Sequence, residues 1–232
     1  MDFAIIAAGN GERLSREGAS LPKPLVNLGG KPMIGRLIEV LNQSGATSIC
    51  VIVNENSGTA VADYLNTLRS KAPIKITVKS TAGSMESFSE LSKSLDRDRD
   101  FCLLTVDTVF RPEEFSQFIS EFMSDDKADG YMAVTDYVAD EKPLYVMASD
   151  DGEITGFLDS PVPQVKFVSG GIYALRPSAL DILDDCRSQG VTRMRDFQRA
   201  LIATGLHLKA RLFSKIVDVD HIADLEEAQK MI

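Results

Sequence analysis

Short apolar runs alternate with stretches of helical periodicity through the first half of the chain. Phe3 to Ala7 has the length and character of a buried strand. Past a polar, glycine-containing loop, Ile34, Leu37, Ile38 and Leu41 fall at i, i+3, i+4 and i+7, which puts them on one helical face, and Gly45 is placed to stop that helix. Ile49 to Val53 reads as the second strand, and Val61, Tyr64, Leu65 and Leu68 repeat the helical spacing. Ile74 to Val78 alternates like a strand, Ser84 to Leu95 reads as a helix, and Phe101 to Val106 is another buried strand. Pro112, Glu113 and Glu114 suit a first helical turn, because proline lacks a donor that would go unsatisfied there and acids favour the positive end of the helix dipole. Phe115, Phe118, Ile119 and Phe122 give that helix its buried face.

From Asp129 onward the pattern changes to strands at short spacing: Tyr131 to Asp136, Pro143 to Ala148, Ile154 to Leu158 and Val165 to Leu175. Asp150-Asp151-Gly152 supplies a turn between two of them. Thr192 to Thr204 reads as a helix closed by Gly205, followed by strand-like His207 to Phe213 and a C-terminal helix from about Ile222. This order predicts βαβ units and a single α/β domain of three αβα layers, Rossmann-like, with a mostly parallel mixed sheet. No linker, internal repeat or low-complexity segment divides residues 1–232.

Composition narrows the partners. With 44% hydrophobic and 25% charged residues the chain is ordinary for a folded domain. A formal net charge of −9 argues against nucleic acid or an anionic membrane as partner, since those are held by clustered Lys and Arg. Cys50, Cys102 and Cys186 are far apart and odd in number, which fits buried thiols in a reducing compartment. Met1 runs directly into the apolar stretch Phe3 to Ala8 without a basic leader, so a cytoplasmic location is expected. The oligomeric state is left open.

The chemistry concentrates in Ala7-Ala8-Gly9-Asn10-Gly11-Glu12-Arg13-Leu14, followed by Pro22-Lys23-Pro24-Leu25. A buried strand ends in glycines that let backbone amides approach a phosphate chain, and two cations follow on the same loop. Leu14 stands where a dinucleotide fingerprint needs its third glycine, and the loop lacks the Gly-Lys-Ser/Thr ending of a Walker motif. Asp107 follows a buried strand, where a carboxylate can meet a hard cation such as Mg²⁺ at the ligand edge of the sheet.

These segments resemble the nucleotidyltransferase family that includes the sugar-1-phosphate nucleotidyltransferases and the MobA-like enzymes. The family's AAGxGxR and KP elements match Ala7 to Arg13 and Lys23-Pro24, and Gly30-Lys31-Pro32-Met33 matches its GKPM turn. Asp107 resembles the family's metal-binding aspartate, with Val106 in place of the usual preceding glycine. Asp218-Val219-Asp220-His221-Ile222-Ala223-Asp224-Leu225 resembles its C-terminal D-x-D-T-P-E-D-L element, with His221 and Ile222 replacing threonine and proline. Thr81-Ala82-Gly83-Ser84-Met85 resembles the base-recognition segment, and Gly156-Phe157-Leu158-Asp159-Ser160-Pro161 the G-F-x-E-K-P element that contacts the sugar, with Asp and Ser in place of Glu and Lys. Val168-Ser169-Gly170-Gly171-Ile172-Tyr173 resembles the N-A-G-I-Y strand.

The resemblance implies a GT-A-like nucleotide-diphospho-sugar transferase fold and magnesium-dependent transfer of a nucleotidyl group from a nucleoside triphosphate to a phosphorylated small molecule. A sugar 1-phosphate leads, and phosphocholine, an alditol phosphate, a cofactor precursor or a non-catalytic regulatory role are the alternatives. It implies that Arg13 and Lys23 are catalytic, and that Ala7, Ala8, Gly9, Asn10, Gly11, Glu12, Arg13, Thr81, Gly83 and Ser84 bind the nucleotide. Asp159, Ser169, Gly170 and Gly171 would bind the acceptor, and Asp107 and Asp220 the metal. Residues two apart on an extended strand share a face, so Asp218 is the alternative to Asp220, which also suits an N-cap. Residues about 1–125 would then be a nucleotide-binding half and about 126–232 an acceptor-binding half of one domain.

Overall fold

The computed structural model describes residues 1–138 and 142–232. Its main sheet runs in the order Ile154–Leu158, Tyr145–Ala148, Phe167–Leu175, Phe101–Thr105, Asp2–Ala7, Ser48–Val53, Ile74–Val78. The last four of these strands are parallel, as the βαβ pattern predicts. Phe167–Leu175 joins them antiparallel, and it also pairs with Gly130–Thr135, which carries Leu208–Leu212 in parallel.

The period of two along the strands builds the layers. Phe3, Ile5 and Ala7 face one core with Ile34, Leu37, Ile38 and Leu41 of the helix Met33–Gln43 and with Phe115 and Phe118 of the helix Pro112–Ser124. Ala4, Ile6 and Ala8 face the other, with Met85 and Phe88 of the helix Ser84–Ser92 and Phe197 and Leu201 of the helix Met194–Ala203. Both faces of Asp2–Ala7 are therefore buried, which is why its sequence is a continuous apolar run rather than an alternating one.

The helix Ser178–Ser188 is absent from the sequence expectations. Its apolar positions Leu180, Leu183 and Cys186 sit among Asp181, Asp184 and Asp185, so the buried stripe is narrow and the segment reads as polar. Packing against the helices at 84–92 and 194–203 stabilises it. Two small ribbons, Asn27–Leu28 with Lys31–Pro32 and Thr108–Val109 with Val217–Asp218, lie off the main sheet. Around them a third core of Leu14, Val26, Leu28, Met33, Val109, Val217, Val219 and Ala228 ties the chain's ends together. Among the described residues no helix is long and apolar enough to cross a membrane.

Candidate active site

All four parallel strands end on the same edge, and the loops that leave them there enclose a cavity of about 680 Å³. Ala8, Gly9, Asn10, Gly11, Glu12 and Arg13 line one wall, Thr81, Gly83 and Ser84 another, and Lys23, Asp107 and Asp220 the floor. Ala7 does not line it: its side chain is buried in the core beneath. Asn54 stands at the end of Ser48–Val53 and donates to the carbonyls of Ala8 (3.3 Å) and Gly9 (3.2 Å), while its own carbonyl accepts from the Ser57 N–H at 2.8 Å. It joins the glycine loop to the start of the next helix. Sequence reasoning passed over Asn54, although it follows its strand just as Asp107 follows another.

Gly11 turns the loop with φ +61°, a region that side chains disfavour, and caps the short helix Glu12–Arg16. A Cβ added there would lie 2.8 Å from the Cβ of Lys23. The absence of a side chain at Gly11 thus lets the Lys23 stem pack against the loop. Leu14, buried in the third core, anchors the short helix from below.

Lys23 opens a short 3-10 turn, Lys23–Leu25, between Pro22 and Pro24. Only 8% exposed, its ammonium lies 2.5 Å from Asp107 Oδ2 and 2.6 Å from Asp220 Oδ1. Arg13 Nη1 reaches Asp220 Oδ2 at 2.7 Å. Burial works against the lysine's charge, but the two carboxylates outweigh it and raise its pKa above the ordinary lysine value. Burial likewise opposes ionisation of Asp220, and Lys23 and Arg13 overcome it and lower its pKa. Lys23 is therefore fully charged near neutral pH.

The second ribbon delivers the last carboxylate. Val217 pairs with Val109 and Asp218 with Thr108, and the Val219 N–H donates to the Asp107 carbonyl at 3.0 Å, which seats Asp220 beside Lys23. Asp218 instead accepts from Thr108 Oγ1 at 2.9 Å. The helix Ile222–Gln229 takes His221 as its N-cap rather than Asp220, and Asp224 accepts the His221 N–H at 2.7 Å. Glu17 accepts from the Ile222 N–H at 2.7 Å and pairs with the His221 ring, fastening this helix to the glycine loop.

Two further cavities adjoin the floor. One of about 240 Å³ is lined by Ser169, Gly170, Tyr137, Asp107, Asp218 and Asp220, and one of about 450 Å³ by residues that include Ser169, Gly171 and Tyr173. Thr105, at the end of the central strand, lines all three. A Cβ added at Gly170 would lie 2.2 Å from the terminal methyl of Ile216, so that side chain would have to move. Asp159 lines none of the three cavities and instead pairs with Arg195 at 2.5 Å and Arg199 at 2.9 Å.

The fold and the sequence have known counterparts. The inositol-1-phosphate CTP transferase of T. maritima superposes with a TM-score of 0.80 at 18% identity, over 99% of this chain and 95% of that one, a likeness of fold. The mannose-1-phosphate guanyltransferase of Schizosaccharomyces pombe is 30% identical over 194 residues, 79% of this chain and 52% of that protein. Mannose-1-phosphate guanylyltransferase 1 of Arabidopsis thaliana is 28% identical over 193 residues, again 79% and 52%. The chain spans about half the length of the curated relatives it matches. A model of the nucleotidyl transferase family matches residues 4–232, and on that match, which takes in every element of the site, the chain belongs to the nucleotidyl transferase family.

Proposed function

We propose that the protein transfers a nucleotidyl group from a nucleoside triphosphate to a phosphorylated small acceptor, a sugar 1-phosphate in the leading case, with release of pyrophosphate. The observation that carries this reading is the buried Lys23 ammonium on the wall of the large cavity, held between Asp107 and Asp220, the two carboxylates that also line the cavity of about 240 Å³. A polyphosphate in the large cavity and a phosphate in an adjoining one would both approach that charge.

In this reaction an acceptor phosphate oxygen forms a bond to the α-phosphorus while the bond to the β-phosphate oxygen breaks, and its electron pair leaves with pyrophosphate. The nucleophile is already anionic near neutral pH, so no side chain has to remove a proton. What the chain must supply is position and positive charge. Lys23 reduces the repulsion between the α-phosphate and the incoming phosphate, and Arg13, at the mouth of the same floor, binds the leaving pyrophosphate. The Gly9 to Gly11 backbone leaves room for the triphosphate, and Thr81, Gly83 and Ser84 leave room for the base.

Magnesium suits the donor types: Asp107 and Asp220 are neighbouring carboxylates that share the Lys23 ammonium, and this ion takes one or two carboxylates and completes its shell with water and phosphate oxygens. Among the described residues no group of three metal-binding side chains stands ready, so the nucleotide has to supply part of the shell. When bound, the ion would neutralise charge on the phosphate oxygens. The reading is tested by following pyrophosphate release with four nucleoside triphosphates against a panel of phosphorylated acceptors, with and without Mg²⁺. Saturable nucleotide binding with no turnover across the panel would favour a regulatory protein instead.

A further inference from the structure

Asparagine converts to an acid without an enzyme when the backbone nitrogen of the next residue attacks its side-chain carbonyl carbon, and a following glycine leaves that nitrogen uncrowded. Asn10-Gly11, Asp129-Gly130 and Asp151-Gly152 have this arrangement, and Asn56-Ser57 comes near it with a serine. An N–H held in a hydrogen bond reacts only when local opening frees it. Gly130 donates to the His207 carbonyl at 3.3 Å, Gly152 to the Ser149 carbonyl at 2.9 Å, and Ser57 to Asn54 Oδ1 at 2.8 Å. The Gly11 N–H donates to no acceptor among the described residues.

The Asn10 side chain is also weakly held. It is exposed, and its hydrogen bond among the described residues is the one its Oδ1 accepts from Asn54 Nδ2 at 3.5 Å, the far limit of such a contact. The same Asn54 amide reaches the Ala8 and Gly9 carbonyls at 3.3 and 3.2 Å, so its hold on Asn10 is the longest of the three. Asn56 is exposed as well, and both asparagines line the large cavity, so access to water does not distinguish them. What separates them is the N–H of the next residue.

We propose that Asn10 is a self-modification site, which converts to aspartate or isoaspartate and disables the glycine loop unless a nucleotide occupies the cavity. The Gly11 nitrogen gives its proton to a base in solution and bonds to Asn10 Cγ, the Cγ–Nδ2 bond breaks, and Nδ2 leaves as ammonia. Water then opens the ring at either carbonyl, with no oxidation or reduction. Both products carry a carboxylate that is ionised at neutral pH, and isoaspartate also adds a methylene to the main chain before Gly11. That charge stands on the wall where the reading above places a triphosphate, which it repels. Resting on the same reading, a bound triphosphate that accepts from the Gly11 N–H opposes the attack and protects the loop.

The test incubates the protein in mildly alkaline buffer, folded and in guanidinium chloride, and follows the gain of one mass unit by peptide mapping. Trypsin places Asn10 in the peptide 1–13 and Asn56 in the peptide 37–69, where fragmentation identifies the modified asparagine. Asn10 is expected to convert in the folded chain within about threefold of its unfolded rate, and Asn56 at least 10-fold more slowly than when unfolded. Turnover should decline in step with conversion of Asn10, and Asn10→Gln, which would have to close a larger ring, should hold its own initial rate over the same period. A saturating nucleoside triphosphate with Mg²⁺ should slow conversion at least fivefold. Folded-state protection of Asn10 as strong as that of Asn56 overturns the proposal, and so does full turnover after most of Asn10 has converted. Conversion at the expected rate that none of four nucleoside triphosphates slows counts against the nucleotide reading of the cavity and leaves the modification site standing.

Discussion

The ammonium of Lys23 lies 2.6 Å from the carboxylate of Asp220, although 197 positions separate the two residues along the chain. Asp107 meets the same ammonium from the middle of the sequence, so three distant segments share one charged contact. In this contact a single buried cation is outnumbered by carboxylates, and Arg13 balances the excess from the exposed side.

Lys23→Ala is expected to lower kcat by at least about 100-fold, the scale seen when a preorganised charge is removed from a transition state. Both partner carboxylates retain contact with solvent, at 24% and 41% exposure, so the far-UV circular dichroism and the cooperative melt should persist. Turnover within threefold of the unmodified protein would take the lysine out of the mechanism.

At Gly11, alanine meets two obstacles at once. It must adopt φ +61°, and its methyl must displace the Lys23 stem from 2.8 Å. Gly11→Ala should cost roughly 1–3 kcal/mol in urea denaturation, by the usual scale for strained backbone, and should also reduce turnover. Gly9→Ala provides the contrast: no atom stands within 4 Å of its added Cβ, so stability should change little. Equal destabilisation by both substitutions would contradict the proposed role of the turn.

Asp218 and Asp220 can be separated by titrating turnover with Mg²⁺. Asp220→Asn removes an oxygen that faces Lys23 and should raise the Mg²⁺ concentration needed for half-maximal rate by at least 10-fold. Asp218→Asn, at a carboxylate that accepts from Thr108, should shift it by less than threefold. The reverse order would assign the metal to Asp218.

Alkaline stability should report Tyr173. Burial pushes its hydroxyl up to about 12, from an ordinary value of 10.0, and the ring is 8% exposed. Below pH 10 the tyrosine is neutral in both folded and unfolded chains. Between pH 10 and 12 the unfolded chain ionises first, so the folded state loses stability as pH rises, by about 2–3 kcal/mol at the upper end. Tyr173→Phe should flatten that part of the melting-temperature profile relative to the unmodified protein. An identical alkaline decline in both would show that other groups dominate it.

The elements that emerged clearly from the pattern are those whose burial is one-sided or complete over many residues. Asp2–Ala7 is buried throughout and Phe101–Thr105 up to Leu104, and Met33–Gln43 carries a clean apolar face, so composition and periodicity agree with their final state. Ser178–Ser188 was hidden because its stability comes from neighbouring helices rather than from a broad apolar stripe. Glu17 and Asn54 were hidden for a different reason: a carboxylate or amide that joins two loops has no local signature, and only its partners reveal it.

Sequence alone determined which residue types were available and where strands would deliver them: glycines and cations after the first strand, Asp107 after another, and two aspartates near the end. Local periodicity and motif spacing carry that information because they depend on near neighbours. The meeting of Asp220 with Lys23, the withdrawal of Asp159 from the cavity, and the gathering of Arg193, Arg195 and Gln198 around a separate one were decided by the tertiary structure. Those outcomes turn on which way a side chain faces once the small ribbon at 108–109 and 217–218 has paired and the helices have packed. Such long-range geometry is set by the packing of the whole chain, and no local stretch of sequence contains it.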